Sequence, residues 1–243
     1  MTSIFSKYHD ESYRLDIPVP GLNIGVIGKT ANGINYHRDR ETIRREEKNL
    51  LASFTGMSSQ NIIFLDQVHG DGIIIIDAYP EEDLITLGEA DGMITPLAGL
   101  CLTIRTADCV PVFAYDPVNK IIGAAHSGWR GTRQSISAKL VLKMKDLYGS
   151  NTGDIRIFIL PSIGPESYTV NDDVARNFTG HVAEKNDRLY LNLWSCIEES
   201  LEGAGVPKKN IFNTRICNYN EGDEYFSHRK GDSERNLNFG FFS

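Results

Sequence analysis

The strongest constraint on the fold lies at residues 110–126, where the runs VPVFAY and IIGAAH stand on either side of DPVNK. Two apolar, β-favouring runs joined by so short a polar link predict an antiparallel hairpin. With Asp116 facing Ile121, the register sets Cys109 opposite Gly128 and diagonal to His126. Facing and diagonal residues share one face of a sheet, with alpha carbons roughly 5–8 Å apart. Pro111 cannot donate to a ladder, so it predicts an edge strand or a bulge. A helix expected after GWRG would begin beside this corner, where its amide groups favour a thiolate or another anion.

Two chemistries suit a cysteine and a histidine brought together in this way. Cys109 can serve as a nucleophile with His126 as its base. Alternatively both are metal ligands, and the third is His69, which ends an apolar run in LDQVHG. Two imidazoles and one thiolate suit zinc, and a missing fourth protein ligand leaves room for water or substrate. Plainer readings compete with both. Cysteines in apolar strands usually pack, and strand-end histidines are more often capped or solvated than ligating. Cys101, Cys196 and Cys217 are read as packing residues, and His9, His37 and His181 receive no role.

Other runs read as strands are 22–28, 61–68, 72–78, 100–106, 155–160 and 211–216. Helical periodicity appears in DRETIRREEKNLLASF, with Ile43, Leu50, Leu51 and Phe54 on one stripe and Gly56 as a stop. It recurs through Ile136, Leu140, Met144 and Leu147, ending at Gly149. A third helix is expected at 193–204, with Asn192 as its cap. Strands cluster with helices between only some of them, which predicts an α+β fold rather than regular βαβ alternation.

The 243 residues contain no spacer tract and no fixed repeat, so one domain over 1–243 is expected. No apolar run is long enough to cross a bilayer, and the N-terminus lacks the pattern of a signal peptide. A net charge of −7 argues against a general nucleic-acid binder. Four cysteines without a CxxC pair argue against a disulfide framework. A cytoplasmic protein, monomeric and without membrane or nucleic-acid partners, is the expectation.

DQVHG, ADGMIT, TADCVPVFAYD, AAHSGWRGT, SIGPESYTV and EYFSHRKGD occur in order along the chain. Together they resemble the YfiH-like family, whose members are labelled laccase-domain or polyphenol oxidase proteins and purine nucleoside phosphorylases. The resemblance implies mixed β-sheets in a sandwich flanked by helices, related to Cys–His hydrolase folds. It also implies a metal site formed by His69, Cys109 and His126. The family carries an arginine near that site in an ENR segment of its first helix. Here the stretch reads RREEKNLL, where Lys48 is the first counterpart and Arg45 the second. A lysine there meets an anion as a point charge, without the fork of an arginine.

The activity so implied is phosphorolysis of adenosine, inosine, guanosine or methylthioadenosine, together with adenosine deamination, with zinc as the metal and copper as its alternative. The substrates are then a purine nucleoside and phosphate, with Lys48, Gln67 and Arg130 as candidate binding residues. Asp108, next to Cys109, is a candidate proton shuttle for deamination, and Tyr225, Phe226 and His228 are candidates to stack on a base. One alternative is a Cys–His hydrolase acting on a cell-wall peptide precursor amide. Another is a copper-dependent polyphenol oxidase, but a multicopper centre needs about ten histidines, and this chain has six. A non-catalytic metal- or partner-binding module is the remaining alternative.

Overall fold

The computed structural model describes residues 5–7, 12–15 and 19–243; His9 lies outside them. One sheet runs in the order β1 (Phe5–Lys7), β2 (Tyr13–Leu15), β3 (Leu22–Ile27), β15 (Asn236–Phe242), β7 (Cys101–Thr106), β4 (Ile62–Ile63). A second runs β14 (Ile211–Asn213), β10 (Arg156–Ile159), β8 (Val110–Asp116), β9 (Ile121–Ser127), β6 (Gly92–Thr95), β5 (Ile73–Ile75). A small third sheet holds β11 (Thr169–Val170), β13 (Arg188–Leu191) and β12 (Val182–Lys185), with the short helix α4 (Asp172–Ala175) between β11 and β12 in the chain. The two large sheets are mixed: β4 and β7, β5 and β6, and β10 and β14 are parallel pairs within otherwise antiparallel ladders.

Strand alternation builds the layers. Val110, Val112 and Ala114 of β8 join Ile157 and Ile159 of β10 against helices α3 (Ile136–Tyr148) and α5 (Leu193–Gly203). Their neighbours Phe113, Tyr115 and Phe158 point the other way, onto Ile24, Val26, Leu102 and Ile104 of the first sheet. That sheet's outer face, with Ile27, Ile62 and Leu237, packs on Leu51 of helix α1 (Arg40–Thr55). The sequence of layers is helix, sheet, sheet, helices. Where the sheets meet, a Cβ on Gly240 would lie 2.7 Å from the Phe113 ring, so the close approach requires glycine.

The hairpin has the expected register, with Asp116 facing Ile121 and Val110 facing Ser127. Pro111 does not mark an edge, because β8 is an interior strand. It is tolerated at the second residue of β8, before the ladder with β10 begins at Val112. The helix ends also match the sequence. Asp39 accepts from the Thr42 amide at 3.0 Å, Gly56 closes α1 at φ 72°, and Asn192 caps α5 through the Ser195 amide at 3.1 Å.

Three further expectations change. The buried stripe of α1 is Arg44, Glu47, Lys48 and Leu51 rather than Ile43, Leu50, Leu51 and Phe54. The helix is rotated so that its first turns bring charge, not apolar groups, over the end of the sheet. The run 61–68 is ladder-paired as a strand only at Ile62–Ile63, because the segment beyond turns away toward His69. Helix α2 (Trp129–Arg133) begins within GWRG rather than after it, and a break at Ser135, whose φ is 56°, separates it from α3.

Candidate functional site

The segment TADC crosses from the end of β7 in one sheet to the start of β8 in the other. Asp108 takes a φ of 86° in this crossing, and Cys109 follows it at the mouth between the sheets. His126 is buried near the end of β9, and His69 sits on the turn that leaves the first sheet. One ligand atom from each of His69, Cys109 and His126 lies within 4.8 Å of the other two. The two imidazole rings meet edge to face, 4.8 Å between centroids. Gly128 keeps the corner open: a Cβ there would stand 3.0 Å from the Cys109 sulfur and 3.3 Å from His69 Cδ2.

Asp91, fully buried at the edge of β6, organises the cluster. Its Oδ1 accepts from His126 Nδ1 at 2.7 Å and from the His69 amide at 3.0 Å. Its Oδ2 accepts from the Gly70 amide at 2.6 Å and the Val68 amide at 3.2 Å. One carboxylate therefore holds the His69 turn, where His69 adopts φ 62°, and turns His126 Nε2 toward the cluster. Burial opposes the charge on Asp91, but the His126 imidazole and the amides bring its carboxyl below the ordinary range.

Burial alone would push the Cys109 thiol up. The charge and hydrogen bond of His126, reinforced by His69, overcome that and lower it to about 6. Burial likewise opposes protonation of His126, yet the Cys109 thiolate and Asp91 raise it to about 9. The two shifts run in the direction of a thiolate beside an imidazolium, each stabilised by the other's charge.

The cluster lines a cavity of about 500 Å³ together with Arg44, Arg105, Arg229 and Arg235. Beneath them Glu47, fully buried, accepts from Arg44 at 3.0 Å, from Arg105 at 2.9 and 2.8 Å, and from the Tyr36 hydroxyl at 3.1 Å. Desolvation, followed by the nearby Arg105 charge, lowers Arg44 to about 10, which leaves it cationic at neutral pH. Arg229 lies over the Tyr168 ring at 5.0 Å, and both line the cavity.

The candidate residues separate clearly. His69, Cys109 and His126 come together. Gln67 lines the cavity, but its amide is used in bonding the Arg105 backbone, N at 2.8 Å and O at 2.9 Å. These side-chain bonds fasten the segment that leads to His69 against the end of β7. Lys48 is not at the cavity: it is buried against Asp83 and donates to the Leu84 carbonyl at 2.6 Å. Arg45 is exposed and pairs with Glu41 at 3.0 Å. The α1 arginine that reaches the cavity is Arg44, one turn before Lys48 on the buried face. Arg130 also lies outside the cavity lining, exposed and stacked on Trp129 at 4.4 Å.

Asp108 reaches the cavity, but its oxygens already accept from Asn218 Nδ2, Ser227 Oγ and the Arg229 amide at 2.7–3.0 Å. It braces the C-terminal loop rather than standing free as a proton shuttle. Tyr225 and Phe226 are buried, so of the three candidate stacking residues only His228 faces the cavity. Sequence reasoning missed Asp91, Glu47, Arg105, Tyr168, Arg229 and Arg235. Charged residues embedded in apolar or aromatic motifs, as in ADGMIT and LTIRTADC, were the available signal for Asp91 and Arg105.

Residues 23–240 match the family model for multi-copper polyphenol oxidoreductase laccase. The chain belongs to that family. It is 32% identical over 219 residues to a Rickettsia prowazekii protein named purine nucleoside phosphorylase, covering 84% of this chain and 87% of the relative. A Bacteroides thetaiotaomicron protein of the same name is 30% identical over 205 residues, covering 79% and 76%. The fold matches the crystal structure of YlmD from Geobacillus stearothermophilus with a TM-score of 0.90 at 26% identity, over 99% of both chains. YfiH from Bacillus licheniformis matches with a TM-score of 0.86 at 26% identity, over 98% and 99%.

The family's multi-copper label meets a simple arithmetic here. Among the described residues one cluster of three or more ligand-type side chains is formed, and it provides two nitrogens and one sulfur. That donor set fits one metal ion, with Asp91 orienting a ligand from behind. No described helix is long and apolar enough to cross a membrane.

Proposed function

We propose that the chain is a metal-dependent phosphorylase of purine nucleosides, a single catalytic domain acting in the cytoplasm. The observation carrying this reading is a single cavity lined both by a three-donor cluster and by four arginines. The names of its relatives support the same substrate class. His69, Cys109 and His126 would hold the ion. Zinc suits two imidazoles and a thiolate, and copper is the alternative for the same donors. When bound, the ion supplies a Lewis acid that polarises an oxygen of substrate or water.

The remaining steps belong to side chains. Phosphorolysis exchanges the C1′–N9 bond for a C1′–O bond to phosphate, and the departing base takes up a proton. Arg44, Arg105, Arg229 and Arg235 gather the phosphate, because guanidinium groups match its oxygens in paired hydrogen bonds. Glu47 holds two of them in place before the anion arrives, so little reorganisation is needed on binding. Burial pushes the Tyr168 phenol up to about 12, so at neutral pH it remains a hydrogen-bond donor to the base. His228 at the cavity wall is the candidate to deliver the proton. Adenosine deamination asks instead for a free carboxylate, and Asp91 and Asp108 both already hold several donors. The basic wall therefore favours phosphorolysis as the principal reaction.

A second reading, a Cys–His hydrolase, is favoured by the lowered Cys109 thiol beside a protonated His126. One experiment separates the readings: adenosine with and without phosphate, wild type against Cys109→Ala, each with and without a chelator. Phosphate-dependent adenine and ribose 1-phosphate from untreated wild type alone is the expected result. Inosine formed without phosphate would report deamination. Absence of any nucleoside product, or equal product from Cys109→Ala, would overturn the reading. Amide hydrolysis that survives the chelator would establish the second.

A further inference from the structure

Arg44, Arg105 and Arg235 face two cavities. The second, of about 330 Å³, does not include the His–Cys cluster in its lining and adds Arg38 and Arg40 to the three shared arginines. Five guanidinium groups thus border one small space. The carboxylates that pair with them are Glu46 on Arg38, Asp66 on Arg40, and Glu47 shared by Arg44 and Arg105. Among the described residues Arg235 has no carboxylate partner; its Nη1 donates to the Ser233 and Glu234 carbonyls. Five guanidinium groups thus have three paired carboxylates among them.

An independent observation comes from Arg44. It is 95% buried, at 5% exposure, and its Nε has no hydrogen-bond partner. Glu47 pairs with its Nη1 at 3.0 Å, but the buried Nε–H lacks an acceptor, a cost that an added acceptor would offset. Arg38 and Arg40 are paired only at the exposed rim, and such pairs hold their side chains weakly. Both already line the second cavity.

We propose that the second cavity is a subsite for a phosphomonoester carried by the substrate, so that the protein accepts nucleoside 5′-monophosphates as well as nucleosides. The inference rests on the nucleoside reading for the portion of substrate in the first cavity. With AMP, the C1′–N9 bond breaks as the C1′–O bond to inorganic phosphate forms. The base leaves with the electron pair and receives a proton that originates on hydrogenphosphate. The products are adenine and ribose 1,5-bisphosphate. The same arginines also suit a second free phosphate ion, and the test distinguishes the two sources.

The test compares binding of AMP, adenosine, ribose 5-phosphate and inorganic phosphate by titration calorimetry, with turnover of AMP and adenosine measured in parallel. Wild type is set against the Arg38→Gln/Arg40→Gln double variant, whose residues lie outside the first cavity. AMP is expected to bind at least about tenfold more tightly than adenosine, as charge-assisted phosphate contacts allow. The double variant should lose that preference while adenosine affinity and turnover stay within about twofold. Equal affinity for AMP and adenosine in wild type, or a preference that survives in the double variant, would overturn the proposal. Two inorganic phosphates bound per chain, with saturating phosphate abolishing the AMP preference, would assign the cavity to a free ion instead. If neither adenosine nor AMP is turned over while ribose 5-phosphate binds in an Arg38- and Arg40-dependent way, the subsite stands and the nucleoside reading falls.

Discussion

Replacing Asp91 by asparagine tests the organisation of the cluster most directly. The substitution keeps shape and one acceptor oxygen, but turns an NH2 group toward two existing donors. If the amide oxygen stays with His126 Nδ1 and the His69 amide, the NH2 faces the Val68 and Gly70 amides, now 3.2 and 2.6 Å from an oxygen. The opposite rotamer strands His126. Each buried donor left unpaired costs about 1–3 kcal/mol, and water reaching the partly exposed turn offsets part of that. A net loss of about 3 kcal/mol follows, or a fall in melting temperature of roughly 6–12 °C for a chain of this size. On the proposed metal reading, loss of the carboxylate behind His126 should also weaken metal binding, assayed with zinc, about 10- to 100-fold. Competition with a chromophoric chelator measures the affinity, and thermal unfolding of the metal-free protein measures the stability. Unchanged zinc affinity together with an unchanged melting temperature would refute the role given to Asp91.

In metal-free protein, Cys109 should react with iodoacetamide with a midpoint near pH 6 rather than near its ordinary 9.0, and His126→Ala should move that midpoint upward. Because the folded thiol lies below the unfolded one, the stability it contributes is full above the unfolded value and lost as pH falls through about 6. Glu47→Gln removes the carboxylate shared by Arg44 and Arg105. It should cost about 3–5 kcal/mol in urea unfolding and be partly rescued by added phosphate; an unchanged midpoint would count against the pre-set basic wall. Gly240→Ala places a methyl group 2.7 Å from the Phe113 ring. It should lower stability by about 1–3 kcal/mol through overpacking between the sheets, with metal affinity unchanged in the same chelator assay.

The amino-acid sequence by itself determined the parts that depend on neighbours along the chain. Periodicity, caps and stop glycines placed α1, α3 and α5 because those signals act within a turn or two. The DPVNK turn set the register that puts Cys109 beside Gly128 and near His126, since pairing in a hairpin follows from its turn. His69, some 40 residues away from Cys109, was reached through ligand chemistry and the family resemblance rather than through spacing. Strand β15 escaped notice although it lies between β3 and β7, because NLNFGFF closes its ladders with segments more than a hundred residues earlier. Only the tertiary structure decided which charges surround the site. The rotation of α1 that buries Arg44 and Glu47, and sends Lys48 to Asp83, is set by packing against a sheet whose strands come from both ends of the chain. No local pattern encodes that rotation. A charge buried on a helix face is stable only where a distant partner meets it, and for Arg44 that setting is the shared Glu47–Arg105 network.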